Sequence, residues 1–422
     1  MELSNIISKA VETLTGSNEY TIPCLDSTAP ELGPFDRPDS IPPNVTIAIR
    51  TIEAACAQLS LAVHDPAQAL LNFEESACML WVMKARVADI LLYEPDGLHV
   101  AELASQIAIN PHWLGCVLHV LVSKHVFKEV HCDVFANNRL SLKLLCKDPV
   151  ASLVGLIVDE GSSAATFLNA TLRDPQVTSS NLPEHAPFQR AYGHTVFDLL
   201  QKRFVRAMVG WREVTGNGLL PQVYPWEILP PDTVICDVGS GNGHATLELL
   251  KKFPKLKVVL QDLPSIIDQG KEYLDKENLD SSLKKQIQLV PFDFFKDTPV
   301  EKCDFYYIRH VLHDWPDLEC KQILNNIRKG VKSTSKLLIH EYVLQHIVRG
   351  IYTGEAPWPL LPNYGVGRVR PYYQDINMMN FHNSKERTLE EFVNLGTQAG
   401  FTFSKIWDCG ETNLLEFSIA SL

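Results

Sequence analysis

Between Val234 and His244 the chain reads Val-Ile-Cys-Asp-Val-Gly-Ser-Gly-Asn-Gly-His: an apolar run, a turn with glycine at every second position, and a helix start. A buried strand feeding a glycine turn and then a helix is the opening unit of an α/β sheet, and ligands of such sheets sit at the carboxyl ends of the strands. Glycine has no Cβ, so the backbone there can approach a ligand closely. From Pro231 onward short β-branched runs alternate with helical segments. The pattern predicts strands over 233–237, 257–261, 287–290, 305–308 and 336–343, helices over 244–252, 318–330 and 388–399, and a closing antiparallel hairpin over 402–408 and 413–420.

The loop's chemistry narrows the ligand. His244 stands where the dinucleotide template G-x-G-x-x-G wants its third glycine, and the phosphate loop G-x-x-x-x-G-K-[ST] is absent. Asp237 would repel a pyrophosphate but attract an amino group, and the loop carries no Lys or Arg to neutralise phosphate. The second strand ends at Asp262, a carboxylate where ribose hydroxyls need an acceptor. After the third strand come Asp293 and Phe294, an acceptor for an adenine amino group and an aromatic cover for its ring. Adenosine joined to an amino acid without phosphates is S-adenosylmethionine.

The N-terminal half reads differently. A short helix within 1–18 and a proline-rich linker over 19–43 precede a long apolar helix over 45–64. Residues 73–145 follow the order of a winged helix: a helix over 73–92, another starting at Leu98, a third starting at Asn110-Pro111, then a hairpin over 126–135. DNA is a poor partner, because residues 95–150 hold five Lys/Arg against five Asp/Glu, and the 422-residue chain carries a formal charge of −12. A dimerising role fits better. Apolar runs fall short of the eighteen or so residues that span a bilayer, so no membrane partner is expected. No leader is read at the N-terminus, and ten cysteines without a C-x-x-C pair suit a cytoplasmic protein. No His/Asp/Glu cluster shows ligand spacing in the sequence, so no metal is expected.

Beyond the fourth strand the chain reads Arg309-His310-Val311-Leu312-His313-Asp314-Trp315. Here it resembles the metal-independent small-molecule O-methyltransferases of the plant caffeate/flavonoid type, in their fungal branch. The likeness is carried by Asp237-Val238-Gly239-x-Gly241-x-Gly243-His244, Asp262-Leu263-Pro264, Asp293-Phe294, Leu312-His313-Asp314-Trp315, Ile339-His340-Glu341 and Lys385-Glu386-Arg387-Thr388, and runs from about Phe73 to the C-terminus. It implies a Rossmann-like class I methyltransferase domain with a seven-stranded, mostly parallel sheet, preceded by an α-helical, winged-helix-like dimerisation domain. The divisions expected are 1–43, 44–200 and 201–422. His313 would be the general base, flanked by Glu341 and Glu386. The cofactor set would be Asp237, Gly239, Gly241, Gly243, Asp262, Leu263, Asp293, Phe294, Arg309 and Trp315. Phe188, Tyr192, Phe197, Asp314, Met378, Met379 and Phe381 would face an aromatic acceptor, and the enzyme would be a homodimer. His310 reads as a core or rim residue.

The chemistry agrees with the resemblance. An imidazole titrating near 6.5 can take a phenolic proton when a carboxylate orients it, and attack on a sulfonium methyl cancels charge as it proceeds. The sequence departs from the plant pattern at Ser240, at a short 383–385 segment before Glu386, and in an insertion over 347–373 rich in Pro, Gly, Tyr and Trp, read as a lid over the acceptor. Two rival readings remain open: a non-catalytic regulator with a relic cofactor site, and the same fold used for other chemistry.

Overall fold

The computed structural model describes residues 2–16, 24–26, 41–63, 75–177, 180, 182–196, 202–215, 220–277, 279–350 and 354–420. They form two compact units: Met1–Thr178 with Ala186–Val214 and Val348–Arg368, and Ser179–His185 with Thr215–Ile347 and Val369–Leu422.

In the first unit, helices α1 (Glu2–Thr15) and α2 (Pro43–Val63) pack through Ala10, Leu14, Val45 and Ala48. The second half of α2 meets the inserted segment: Ala54 and Ala55 bury against Ala356 and Leu360, with Leu3, Ile6, Ile7 and Tyr364 around them. Gln58 adds a hydrogen bond from Nε2 to the Pro359 carbonyl, 3.1 Å. The closest approach is at Gly367, where a β-carbon would lie 2.2 Å from the Arg50 carbonyl oxygen. At 21 residues, with a mean hydropathy of 1.3 over its most apolar window, α2 is long and apolar enough to cross a membrane by length and composition. Arg50 and Glu53 interrupt its apolar run, and one face is packed against α1 and the insertion.

The winged-helix order holds with two changes. The apolar segment over 73–92 is two helices, α3 (Glu75–Lys84) and Val87–Leu91, because Arg86 between them is left-handed at φ 56°. Leu98-His99 is a strand, not a helix start. It pairs with Val134–Ala136, which pairs in turn with Lys128–His131, and the helix begins only at Val100. Helix α4 (Pro111–Ser123) has Asn110 as N-cap and Pro111 at its first position, as the sequence predicts. Leu103, Leu114, Leu118, Phe127 and Phe135 fill the core.

The second unit is built on seven strands: β1 (Val234–Val238), β2 (Lys257–Asp262), β3 (Ile287–Pro291), β4 (Phe305–Arg309), β5 (Lys336–Glu341), β6 (Phe401–Cys409) and β7 (Thr412–Ile419). Their order across the sheet is β6-β7-β5-β4-β1-β2-β3. The five inner-to-edge strands β5-β4-β1-β2-β3 are parallel, and β7 runs antiparallel to both β5 and β6. Side chains alternate between two cores, as strand geometry requires. Cys236, Ile308 and Ile339 face one side, where α7 (Asp317–Gly330) and α9 (Leu389–Gln398) bring Ile323, Leu324, Ile327 and Phe392. Ile235, Leu260, Tyr307 and Leu338 face the other, covered by α5 (His244–Lys252) with Leu249 and Leu250 and by α6 (Pro264–Lys276) with Leu274. Helix α8 (Arg370–His382) precedes the segment carrying Glu386. The strand order reverses between β1 and β4, so the loops after those strands open the crevice where ligands of such sheets bind.

Replacing Gly367 with Ala puts a methyl against a carbonyl that cannot move aside. We expect it to cost about 1–3 kcal/mol of docking, seen as faster proteolytic cleavage within 348–368. Unchanged cleavage would show that the segment does not depend on this contact.

Candidate active site

β4 ends at Arg309, and the chain then turns sharply: His310 is left-handed at φ 49°, and Leu312–Asp314 make one 3₁₀ turn. Two groups from distant segments hold this turn. Glu341, the last residue of β5, is fully buried, and its Oε1 accepts from the backbone N–H groups of Val311 and Leu312, both at 3.0 Å. Arg387 is equally buried and donates to the carbonyls of Leu312 and Trp315, each at 2.7 Å, and to Asp317 Oδ1 from Nε and Nη2. The turn's N–H groups are thus held by an anion and its carbonyls by a cation.

His313 sits inside this clamp with only 7% of its side chain exposed. Its Nδ1 is 2.7 Å from Glu386 Oε1 and 3.6 Å from Glu341 Oε2. With Nδ1 engaged, Nε2 is the nitrogen left to act, and Asp314 Oδ1 lies 3.6 Å from it. Glu386 is positioned through its own N–H, which donates to Asp375 Oδ1 of α8 at 2.9 Å, so the short 383–385 segment does carry it to the imidazole. Burial opposes charge on His313, but Glu386, Glu341 and Asp314 outweigh it and raise the imidazole to about 10. Burial also pushes Glu386 up to about 7 against the pull of His313. The proton they share rests on the ring, because three carboxylates converge on it.

On the loop side, Gly239, Gly241 and Gly243 all have positive φ. A β-carbon on Gly239 would meet Val311 at 2.7 Å and Phe294 at 3.8 Å, which places the Phe294 ring beside the loop. Phe294, Phe295 and Trp315 form an edge-to-face cluster there. Asp262 accepts from the N–H of Gly241, 2.8 Å, and of Leu263, 2.7 Å, and burial raises its carboxyl despite these bonds. Asp237 is deeper, accepts from Thr246 Oγ1 at 2.7 Å, and burial raises it to about 7. Asp293 is held low, chiefly by Lys296 Nζ at 2.6 Å. Arg309 reaches Thr215 Oγ1 at 3.4 Å. These groups fit an adenosyl amino acid: acids and open glycine backbone in the loop, an aromatic wall beside Gly239, and no basic side chain within the loop to receive phosphate.

Of the acceptor candidates, Met378 and Phe381 are buried on α8 and Met379 partly so. Phe188 and Tyr192 belong to the first unit, where they stack at 4.6 Å, and Phe197 lies outside the described residues. Sequence reasoning gave no role to Arg387 or His382 and read His310 only as a core or rim residue. Arg387 has no signature, since its partners are carbonyls. His382, at the end of α8, places Nε2 3.4 Å from Asp314 Oδ1. His310 stacks on His313. His310, His313 and Glu341 bring ligand-type atoms within 4.8 Å of one another, a cluster that sequence spacing did not disclose; within it Glu341 Oε2 lies 3.5 Å from His310 Nδ1 and 3.6 Å from His313 Nδ1.

Residues 170–402 match the O-methyltransferase domain and residues 67–147 the O-methyltransferase dimerisation domain. The chain belongs to the O-methyltransferase family. It is 45% identical to "3-O-methyltransferase 2" of Phanerochaete chrysosporium, over 99% of this chain and 96% of that protein. It is 30% identical to "O-methyltransferase tpcA" of Aspergillus fumigatus, over 99% and 95%. The crystal structure of OxaC shares the fold with a TM-score of 0.72 at 20% identity, covering 99% of this chain and 98% of that one. The protein is therefore an enzyme of the S-adenosylmethionine-dependent O-methyltransferase type, and the non-catalytic regulator reading is set aside.

Arg387→Met removes the charged donor of the Leu312 and Trp315 carbonyls and of Asp317, leaving the two carbonyls the weak Cys320 thiol. A loss of about 1–3 kcal/mol is expected, read as a lower unfolding midpoint in urea, and a midpoint equal to wild type would contradict the clamp.

Proposed function

We propose that this enzyme methylates the hydroxyl of an aromatic small molecule, with His313 as general base. The observation that carries the reading is the setting of His313: a buried imidazole with Nδ1 on Glu386 and Nε2 left to work, at the crevice between the ends of β1 and β4. In this reading S-adenosylmethionine, when bound, supplies an electrophilic methyl on a cationic sulfur. Asp262, Asp237 and Asp293 would receive its ribose, amino and adenine groups, with Phe294 against the ring. Nε2 of His313 takes the acceptor's O–H proton, and the oxygen's electron pair forms the new bond to the methyl carbon as the methyl–sulfur bond breaks, its electron pair going to sulfur to leave S-adenosylhomocysteine. The proton stays on Nε2, and the positive charge it gives the ring is offset by Glu386 and Glu341 on the Nδ1 side. Met378, Met379 and Phe381 would give the acceptor an apolar wall. The name of the P. chrysosporium relative supports an oxygen acceptor.

The dimerisation domain supports a homodimer. Ten free cysteines support a cytoplasmic setting. The 347–373 insertion is proposed to serve the acceptor, not the cofactor.

His313→Ala is expected to cut kcat by roughly a hundredfold or more, with cofactor affinity by calorimetry unchanged. The pH dependence follows from the sign of the shift. The base must be neutral, its pKa is raised, and so activity climbs with pH through a limb above the ordinary histidine value. Glu386→Gln removes the carboxylate that raises it most, so the limb should move to lower pH. A limb that stays in place, or full activity in His313→Ala, would remove the assignment.

A further inference from the structure

His310 holds a left-handed backbone that a residue with a β-carbon adopts only when its surroundings fix it. Its ring stacks on His313, centroids 5.3 Å apart at 23°, and on its other neighbours it meets His340 at 6.4 Å and Tyr342 at 5.7 Å. Both its ring nitrogens are buried without a hydrogen bond, and so is Glu341 Oε2. Two of these atoms face each other. His310 Nδ1 is 3.5 Å from Glu341 Oε2, the same oxygen that lies 3.6 Å from His313 Nδ1. A buried polar atom without a partner is costly, so a small movement that closes the 3.5 Å gap is favoured.

We propose that His310 is a positioning residue for the base: a neutral imidazole that donates Nδ1–H to Glu341 Oε2 and so weakens that carboxylate's hold on the His313 proton. The inference rests on His313 being the base. His310 can share Glu341 without adding charge, because burial, with the Arg309 cation and His313 adding to it, takes its pKa down to about 4 against the pull of Glu341. From β5, His340 adds a third ring to the stack and is itself held neutral by burial. The groups that face His313 are Glu386, Glu341, Asp314, His310 and, from α8, His382. Of these, Glu341 is the carboxylate that both stacked rings address.

Two variants separate donor from ring. His310→Phe keeps a flat ring and removes the donor. His310→Asn keeps a donor, removes the ring and tolerates the left-handed backbone. The readouts are the pH profile of kcat on a phenolic acceptor, the KM values and the melting temperature. In His310→Phe the acid limb should move up by about one unit, lowering kcat below the limb about tenfold, with cofactor KM unchanged. His310→Asn should return the limb toward wild type. A limb that does not move in His310→Phe, whatever happens to kcat or melting temperature, reduces His310 to packing and overturns the proposal. His313→Ala assigns the failure: if it retains activity, the base assignment falls and this inference with it, whereas an inactive His313→Ala with an unmoved His310→Phe limb overturns this inference alone.

Discussion

Glu341 is a buried carboxylate at the end of a central strand, and its two oxygens do different things. One accepts two backbone N–H groups and so fixes the turn after β4; the other faces the Nδ1 atoms of His310 and His313. An anion with no exposed surface is tolerated only where donors and positive charge surround it. That requirement ties the turn after β4 to β5, and the Arg387 guanidinium meets the same turn from the opposite side. The geometry of His313 is therefore a consequence of two buried charges, not of the turn's own preferences, which include a strained His310.

The three acids at successive strand ends are not equivalent. Asp237 reaches back to α5 through Thr246, and burial raises it. Asp262 ties the glycine turn to the second strand through Gly241 N–H. Asp293 is partly exposed and paired with Lys296, which holds its carboxyl below the usual range. An adenosyl group placed there would find a rigid acceptor at the ribose and a solvated one at the base.

Much of this was legible in the sequence because the central strands β1, β4 and β5 are short and buried on both faces, which leaves continuous runs such as Val234–Val238 with little ambiguity. The meeting of His313 with Glu386 and Glu341 was legible because all three stand in matched motifs. What was not legible depends on backbone. Arg86 breaks a helix by its left-handed φ, although its neighbours keep helical apolar spacing. Leu98-His99 becomes a strand only because Phe135 and Val134 are there to pair with it. Helix α6 buries only Ile267, Gly270 and Leu274, too few for its period to show. Arg387 acts on carbonyls, which any residue supplies, and the insertion's seat on α2 depends on one glycine meeting one carbonyl.

The most direct test of the account is a mass measurement. The wild-type enzyme and His313→Ala are incubated with S-adenosylmethionine carrying a labelled methyl and with a panel of simple phenols. The account predicts that one labelled methyl appears on a phenolic oxygen with the wild type and at trace level with the variant. Label on carbon or nitrogen, no label at all, or equal transfer by the two proteins would contradict it.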